Sequence, residues 1–363
     1  MVLLAYDFHA SLYPARHGVA IFSNLSTQLS DTVLFFLLIR RTMESDTSAN
    51  APAFAARQIF YNDRGLRAGW RLLIYFGMIA VLVFGARLIA KQLGGAPKGP
   101  SLPDYLQTIF QAIGELVAFL VLLLSAWIMS RIERRKVGAY GLPLQWSALS
   151  GFIRGYFLWG FLPLAILLSI LRILHGFYFG DVSPLNSQIL GWGVIWFLFF
   201  LLVGFFEEFS LRGYLLYTLA DGIGFWPAAI IQAILFARGH MGNGGETRIG
   251  IIATGIFALF AAATLWRTGN LWLAVGAHAG WDWGQSFFFG VNDSGLQVPG
   301  HLFNPHVSQG PDWLTGGTVG PEGSVVTLIL WALMTVFFVL RYRRRGPALV
   351  VMPLAEEVPP ALR

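Results

Sequence analysis

The chain of 363 residues contains no cysteine. That excludes disulfides, thiolate metal sites and a cysteine nucleophile, and it leaves the redox compartment open. Charge is nearly as scarce: 12% of residues are Asp, Glu, Lys or Arg, whereas 56% are apolar. A soluble domain carries about twice that charged fraction. A chain so poor in polar groups cannot cover a water-facing surface, so membrane lipid is its expected solvent. The net charge of +6 is not read as a nucleic-acid signal. The basic residues cluster at the ends of apolar runs, which is the topology signature of membrane proteins. No nucleic-acid partner is expected.

Long apolar runs are what the sequence has in abundance. They fall at about residues 71–90, 107–130, 152–174, 189–219, 225–243, 249–266, 270–290 and 324–340. Each is long enough, or nearly so, to cross hydrocarbon as a helix. The fold class implied is all-α: a polytopic membrane helical bundle of about eight transmembrane helices. The fourth run ends in an amphipathic stretch, residues 212–220. Arg57, Arg64, Arg67 and Arg71 precede the first run, Arg131, Arg134, Arg135 and Lys136 follow the second, and Arg341, Arg343, Arg344 and Arg345 follow the last. Residues 291–323 contain no Lys or Arg. Basic residues favour the cytoplasmic side, so both termini are expected in the cytoplasm, with the bundle in the plasma (inner) membrane. Lys91 and Lys98 run weakly against this orientation.

The flanks read differently. Residues 33–39 are apolar but too short to span, and 43–56 are small and polar. No clean signal-peptide pattern is visible. Met43 is an alternative start, which would make residues 1–42 an extension. The domain reading is therefore a largely disordered cytoplasmic extension over 1–68, a transmembrane domain over 69–345 and a disordered cytoplasmic tail over 346–363.

Ionisable residues at membrane depth are expensive, so each is a functional candidate. They are Glu115, Glu207, Glu208, Arg212, Arg238, His240, His278 and Asp282. Arg154 and Arg172 lie near span ends and can snorkel. Glu115 has no obvious partner and is read as structural, pairing with an arginine such as Arg238 or bonding across helices. Glu208 and Arg212 are one helical turn apart and can form an ion pair, while Glu207 points about 100° away around the helix and is free to face a cavity. His278 and Asp282 share a face in the same way. At about 1.5 Å per residue, Glu207 and His240 lie roughly 20 and 22 Å from the shared cytoplasmic loops, and His278 and Asp282 roughly 14 and 20 Å. Topology alone thus brings carboxylates and imidazoles to one layer.

Three segments carry a resemblance: Glu207-Glu208-x-x-x-Arg212, Phe236-x-x-x-His240 and His278-x-x-x-Asp282, in that order on separate runs. Together they resemble the CPBP family of intramembrane proteases, which includes CAAX prenyl proteases and bacteriocin-processing or immunity proteins. The resemblance extends over about residues 58–295, including Leu66-Arg-Ala-Gly-Trp-Arg71 and Gly138-Ala-Tyr-Gly-Leu-Pro143. Asp282 stands where many members have Asn, Arg238 adds a charge inside the second motif, and Ser210 replaces a usual large apolar residue.

The resemblance implies an intramembrane endopeptidase acting on a membrane-bound protein or peptide substrate, with a prenylated CAAX-type C-terminus as one option. It implies that Glu207 and His240 activate water, and that His278 and Asp282 stabilise the oxyanion or orient substrate. Because an ionised Asp repels an oxyanion, Asp282 is expected mainly to fix the His278 tautomer or to stay protonated. Glu208 with Arg212 is expected to be a structural clamp. No cofactor is required by this reading. Zinc is the alternative, held by Glu207, His240 and His278, although the His-Glu-x-x-His motif is absent. No Gly-x-Ser-Gly segment supplies a serine nucleophile, and no pair of embedded Asp residues supplies an aspartyl dyad. Two other classes compete: a non-catalytic scaffold or immunity protein, and a transporter or proton pathway. The transporter lacks the internal repeat that would support it.

Overall fold

A computed structural model of the chain describes residues 58–62, 65–92, 103–308 and 310–342. The expected extension over 1–42, the alternative start at Met43 and the tail lie outside the described residues.

The described chain is a polytopic helical bundle. Its long helices are α1 (Ala68–Gln92), α2 (Asp104–Ile132), α3 (Trp146–Arg154) running through a π-helical stretch Gly155–Phe161 into α4 (Leu162–Ile173), α5 (Ser187–Arg212), α6 (Tyr214–Ile223), α7 (Phe225–His240), α8 (Arg248–Thr268), α9 (Trp272–Trp283) continuing as a π-helical stretch Gly284–Phe288, and α10 (Val325–Arg341). Among the described residues, five segments are long and apolar enough to cross a membrane: Ala68–Gln92, Asp104–Ile132, Trp146–Ile173, Ser187–Ile223 and Arg248–Thr268. The other three expected spans correspond to the shorter helices α7, α9 and α10. The outward faces of α1, α7 and α10 are apolar, with Leu73, Val81, Ile234 and Leu333 each about 60% exposed or more. Only lipid makes such a surface favourable.

The fourth apolar run is not one helix. Gly213 breaks it between α5 and α6, where a Cβ would collide with the carbonyl oxygen of Phe209. The motif acids therefore sit near the end of α5, and α6 continues to the basic end of the bundle, where Asp221 meets Arg71 and Arg135.

That end is fastened by a buried ion-pair network. Arg71 on α1 contacts Glu133 at 2.6 Å and Asp221 at 3.0 Å, and Arg135 contacts the same two acids at 3.2 and 2.8 Å. Tyr214 donates to Glu133 at 2.5 Å and Tyr140 at 3.2 Å. At the other end, residues that read as loop form structure. β3 (Phe177–Val182) pairs antiparallel with β4 (Phe303–Val307), following a two-residue pair, β1 (Tyr61–Asn62) with β2 (Gly65–Leu66). His301 and His306 belong to this region: the Nδ1 atom of His301 lies 2.7 Å from the carbonyl oxygen of Phe303, and His306 sits in β4 opposite Tyr178.

The centre of the bundle is a glycine-mediated crossing. Cβ atoms on Gly155 and Gly160 would strike the carbonyl oxygens of Leu273 and Ala277 on α9, and Cβ atoms on Gly276 and Gly280 would strike those of Phe152 and Tyr156. Small residues let two membrane helices approach backbone to backbone. The crossing presses α9 into the core and fixes the depth of His278 and Asp282, each less than a tenth exposed.

Candidate active site

The three motif segments meet in one buried constellation. Glu208 and Arg212 are fully buried on α5, with the guanidinium Nη1 donating to Glu208 Oε1 at 3.0 Å. A buried charge survives only when paired, and here the pair is supplemented by stacking. The Arg212 guanidinium lies 4.4 Å from the Phe236 ring centroid and 5.9 Å from that of Phe257, an arrangement that favours a planar cation. Phe236 of the second motif is thus the platform for the arginine of the first.

The same Glu208 oxygen meets His278 Nδ1 at 2.9 Å. The atom that sets the His278 tautomer therefore faces Glu208. The clamp of Glu208 and Arg212 thus extends to the third motif. Asp282 Oδ2 lies 3.4 Å from the other nitrogen, Nε2, one turn along α9.

Glu207 projects from a different face of α5, as the helical angle requires. Its Oε2 is 3.6 Å from His278 Nε2 and 4.0 Å from His240 Nε2. His240 is held from behind, its Nδ1 being 2.9 Å from the carbonyl oxygen of Phe236. Two imidazoles with occupied Nδ1 atoms thus turn their Nε2 atoms toward one carboxylate. Ser210, buried, donates to the Glu207 carbonyl at 2.9 Å, which satisfies a hydroxyl where a large apolar residue is usual.

Glu207, His240, His278 and Asp282 line a cavity of about 360 Å³. Glu115 lines it as well. Arg238 is exposed on α7, so the suggested pairing of Glu115 with Arg238 gives way to a carboxylate in the chamber wall. The charge inside the second motif points away from the site.

Asp293 and Glu322 were missed by the motif reading. Both belong to the 291–323 segment and line the same cavity. Asp293 accepts from Ser286 at 3.0 Å, and Glu322 accepts from the Ser294 backbone N–H at 3.0 Å and hydroxyl at 3.2 Å. Burial raises the carboxyl of Asp293 above its ordinary range, and burial followed by repulsion from Asp293 raises that of Glu322. Ligand atoms of Asp282, Asp293 and Glu322 lie within 4.8 Å of one another. An all-oxygen set of this kind suits hard cations. The nitrogen-bearing set that would suit zinc is Glu207, His240 and His278.

Residues 189–284 match the family model described as Type II CAAX prenyl endopeptidase Rce1-like. Over that stretch the chain is similar to the Rce1-like CAAX endopeptidases, and its long apolar helices mark an integral membrane protein. The matched stretch contains all seven motif residues and is narrower than the resemblance suggested. No curated protein and no solved structure matches the chain.

Proposed function

We propose that the chain is an intramembrane endopeptidase that hydrolyses a peptide bond of a membrane-tethered substrate with water activated by Glu207. The observation that carries this reading is a carboxylate flanked by the Nε2 atoms of two imidazoles, at 3.6 and 4.0 Å, inside a cavity in the bundle. A separation of 4.0 Å is too long for a direct hydrogen bond and is readily bridged by a shared water.

In this mechanism Glu207 takes a proton from the water as its oxygen adds to the scissile carbonyl carbon, with His240 orienting the same water. The carbonyl oxygen becomes an oxyanion and accepts a hydrogen bond from Nε2–H of His278, which acts as the imidazolium with its Nδ1–H donated to Glu208. The C–N bond then breaks, and the proton held by Glu207 passes to the leaving amine. Glu208 and Arg212 act through His278 as positioning residues. Asp282 holds the far side of the His278 ring.

A zinc-dependent version is the second reading. Metal-ligating histidines are held by a second nitrogen bonded to a carboxylate or carbonyl, which is how His278 and His240 are held. Glu207, His240 and His278 would be the ligands, and the metal would supply Lewis-acid activation of water.

The test is cleavage of quenched, lipidated peptides by purified protein in liposomes, comparing wild type with Glu207→Ala. Loss of cleavage in the variant supports the peptidase. Equal cleavage by both rules out Glu207 as the base. Inhibition of the wild type by a chelator, with rescue by added zinc, selects the metal version.

A further inference from the structure

The site cavity has a mouth, and its residues lie at one end of the bundle. The exposed lining residues are Asp104, Gln107 and Gln111 on α2, and Leu296, Gln297 and Pro299 on the 291–323 segment. The basic belt is at the other end. α2 runs roughly 40 Å from Asp104 to Arg131 at about 1.5 Å per residue. Arg131, Arg134, Arg135 and Lys136 close that helix, and Arg71 and Arg341 sit at the same end of α1 and α10. The mouth-side segment 291–323 has no Lys or Arg. Short connections rich in Lys and Arg stay cytoplasmic, so the mouth faces away from the cytoplasm.

The charge of the chamber is equally one-sided. Asp104, Glu115, Glu207, Asp282, Asp293 and Glu322 line it, and none of the described lining residues is Lys or Arg. A peptide whose C-terminal carboxylate had to enter would meet six acidic side chains with no lysine or arginine to receive it. A guanidinium or ammonium would meet carboxylates in a water-poor space, where attraction is strong.

We infer that the chamber admits its substrate from the non-cytoplasmic face and selects a peptide segment bearing Lys or Arg near the scissile bond. This rests on the peptidase reading above and narrows it. A segment of a membrane-anchored polypeptide outside the cytoplasm fits, whereas a prenylated C-terminus ending in a free carboxylate at the cytoplasmic face does not.

Two measurements on the full chain test this. The absence of cysteine lets a single Gln297→Cys or Gln145→Cys be labelled with a membrane-impermeant maleimide. In intact cells Gln297→Cys at the mouth is labelled, and Gln145→Cys beside the basic belt is labelled only after permeabilisation. The reverse pattern overturns the inference. In liposomes, three lipid-anchored peptides identical but for Lys, Ala or Glu beside the scissile bond are compared for binding and for cleavage. Lys exceeds Ala at least tenfold and Glu at least a hundredfold, and Asp293→Asn with Glu322→Gln reduces the preference about tenfold. Cleavage with no preference for Lys overturns the inference while the peptidase stands. Selective binding of the Lys peptide with no cleavage upholds the chamber's selectivity while the peptidase reading falls.

Discussion

At the residue scale, one glutamate oxygen joins the motifs. Glu208 Oε1 is shared by Arg212 at 3.0 Å and His278 at 2.9 Å. Neutralising it in Glu208→Gln should lower kcat about 10- to 100-fold, the usual cost of removing an orienting partner, with KM little changed and the thermal midpoint lowered. A variant in which KM rises and kcat holds would place Glu208 in substrate binding instead. Arg212→Lys keeps the charge but not the planar cation stacked on Phe236. It should lower the melting temperature in detergent by several degrees, and Arg212→Met should destabilise more, by about 3–5 kcal/mol, because Glu208 would be left buried with His278 as its remaining partner. Asp282→Asn should retain activity within about tenfold, since Glu208 and not Asp282 meets His278 Nδ1. Complete loss of cleavage would show that the Asp282 charge itself is needed.

At the element scale, the spacing of the motif residues was readable because helical geometry converts one turn into one face. Glu208 with Arg212 and His278 with Asp282 are such pairs. The shared depth of Glu207, His240 and His278 followed from rise per residue alone. What could not be read was the glycine crossing. Gly155, Gly160, Gly276 and Gly280 look like ordinary small residues in apolar runs, and only the path of the backbone shows that each faces a carbonyl of the other helix. Gly280→Ala should cost about 1–3 kcal/mol as an overpacking substitution and should reduce cleavage more than Gly191→Ala, where a Cβ meets open space. Thermal melts and initial rates of the two variants decide this. Equal effects would mean that the crossing does not set the position of α9.

At the scale of the whole molecule, long-range pairings were out of reach of the sequence. Arg71 and Asp221 are 150 residues apart, and Arg71 and Glu133 are 62 apart. No local pattern announces that these charges share one buried network. The same holds for Asp293 and Glu322, which lie in a segment without apolar periodicity and reach the chamber because β4 anchors that segment to β3. Glu133→Ala should leave Arg71 and Arg135 with Asp221 as their one shared acceptor. It is expected to lower stability by about 3–5 kcal/mol while leaving peptide selectivity unchanged in the folded fraction, measured as melting temperature alongside the Lys-to-Glu rate ratio.

The central claim is that the Glu207 carboxylate activates water between two fixed imidazoles. The most direct measurement is single-turnover cleavage of a lipid-anchored quenched peptide by Glu207→Gln. This substitution keeps size and hydrogen-bonding capacity while removing the base. The account predicts a fall of at least about a thousandfold with an unaltered melting profile, consistent with the upper part of the range for losing a general base. Cleavage within threefold of wild type would contradict it.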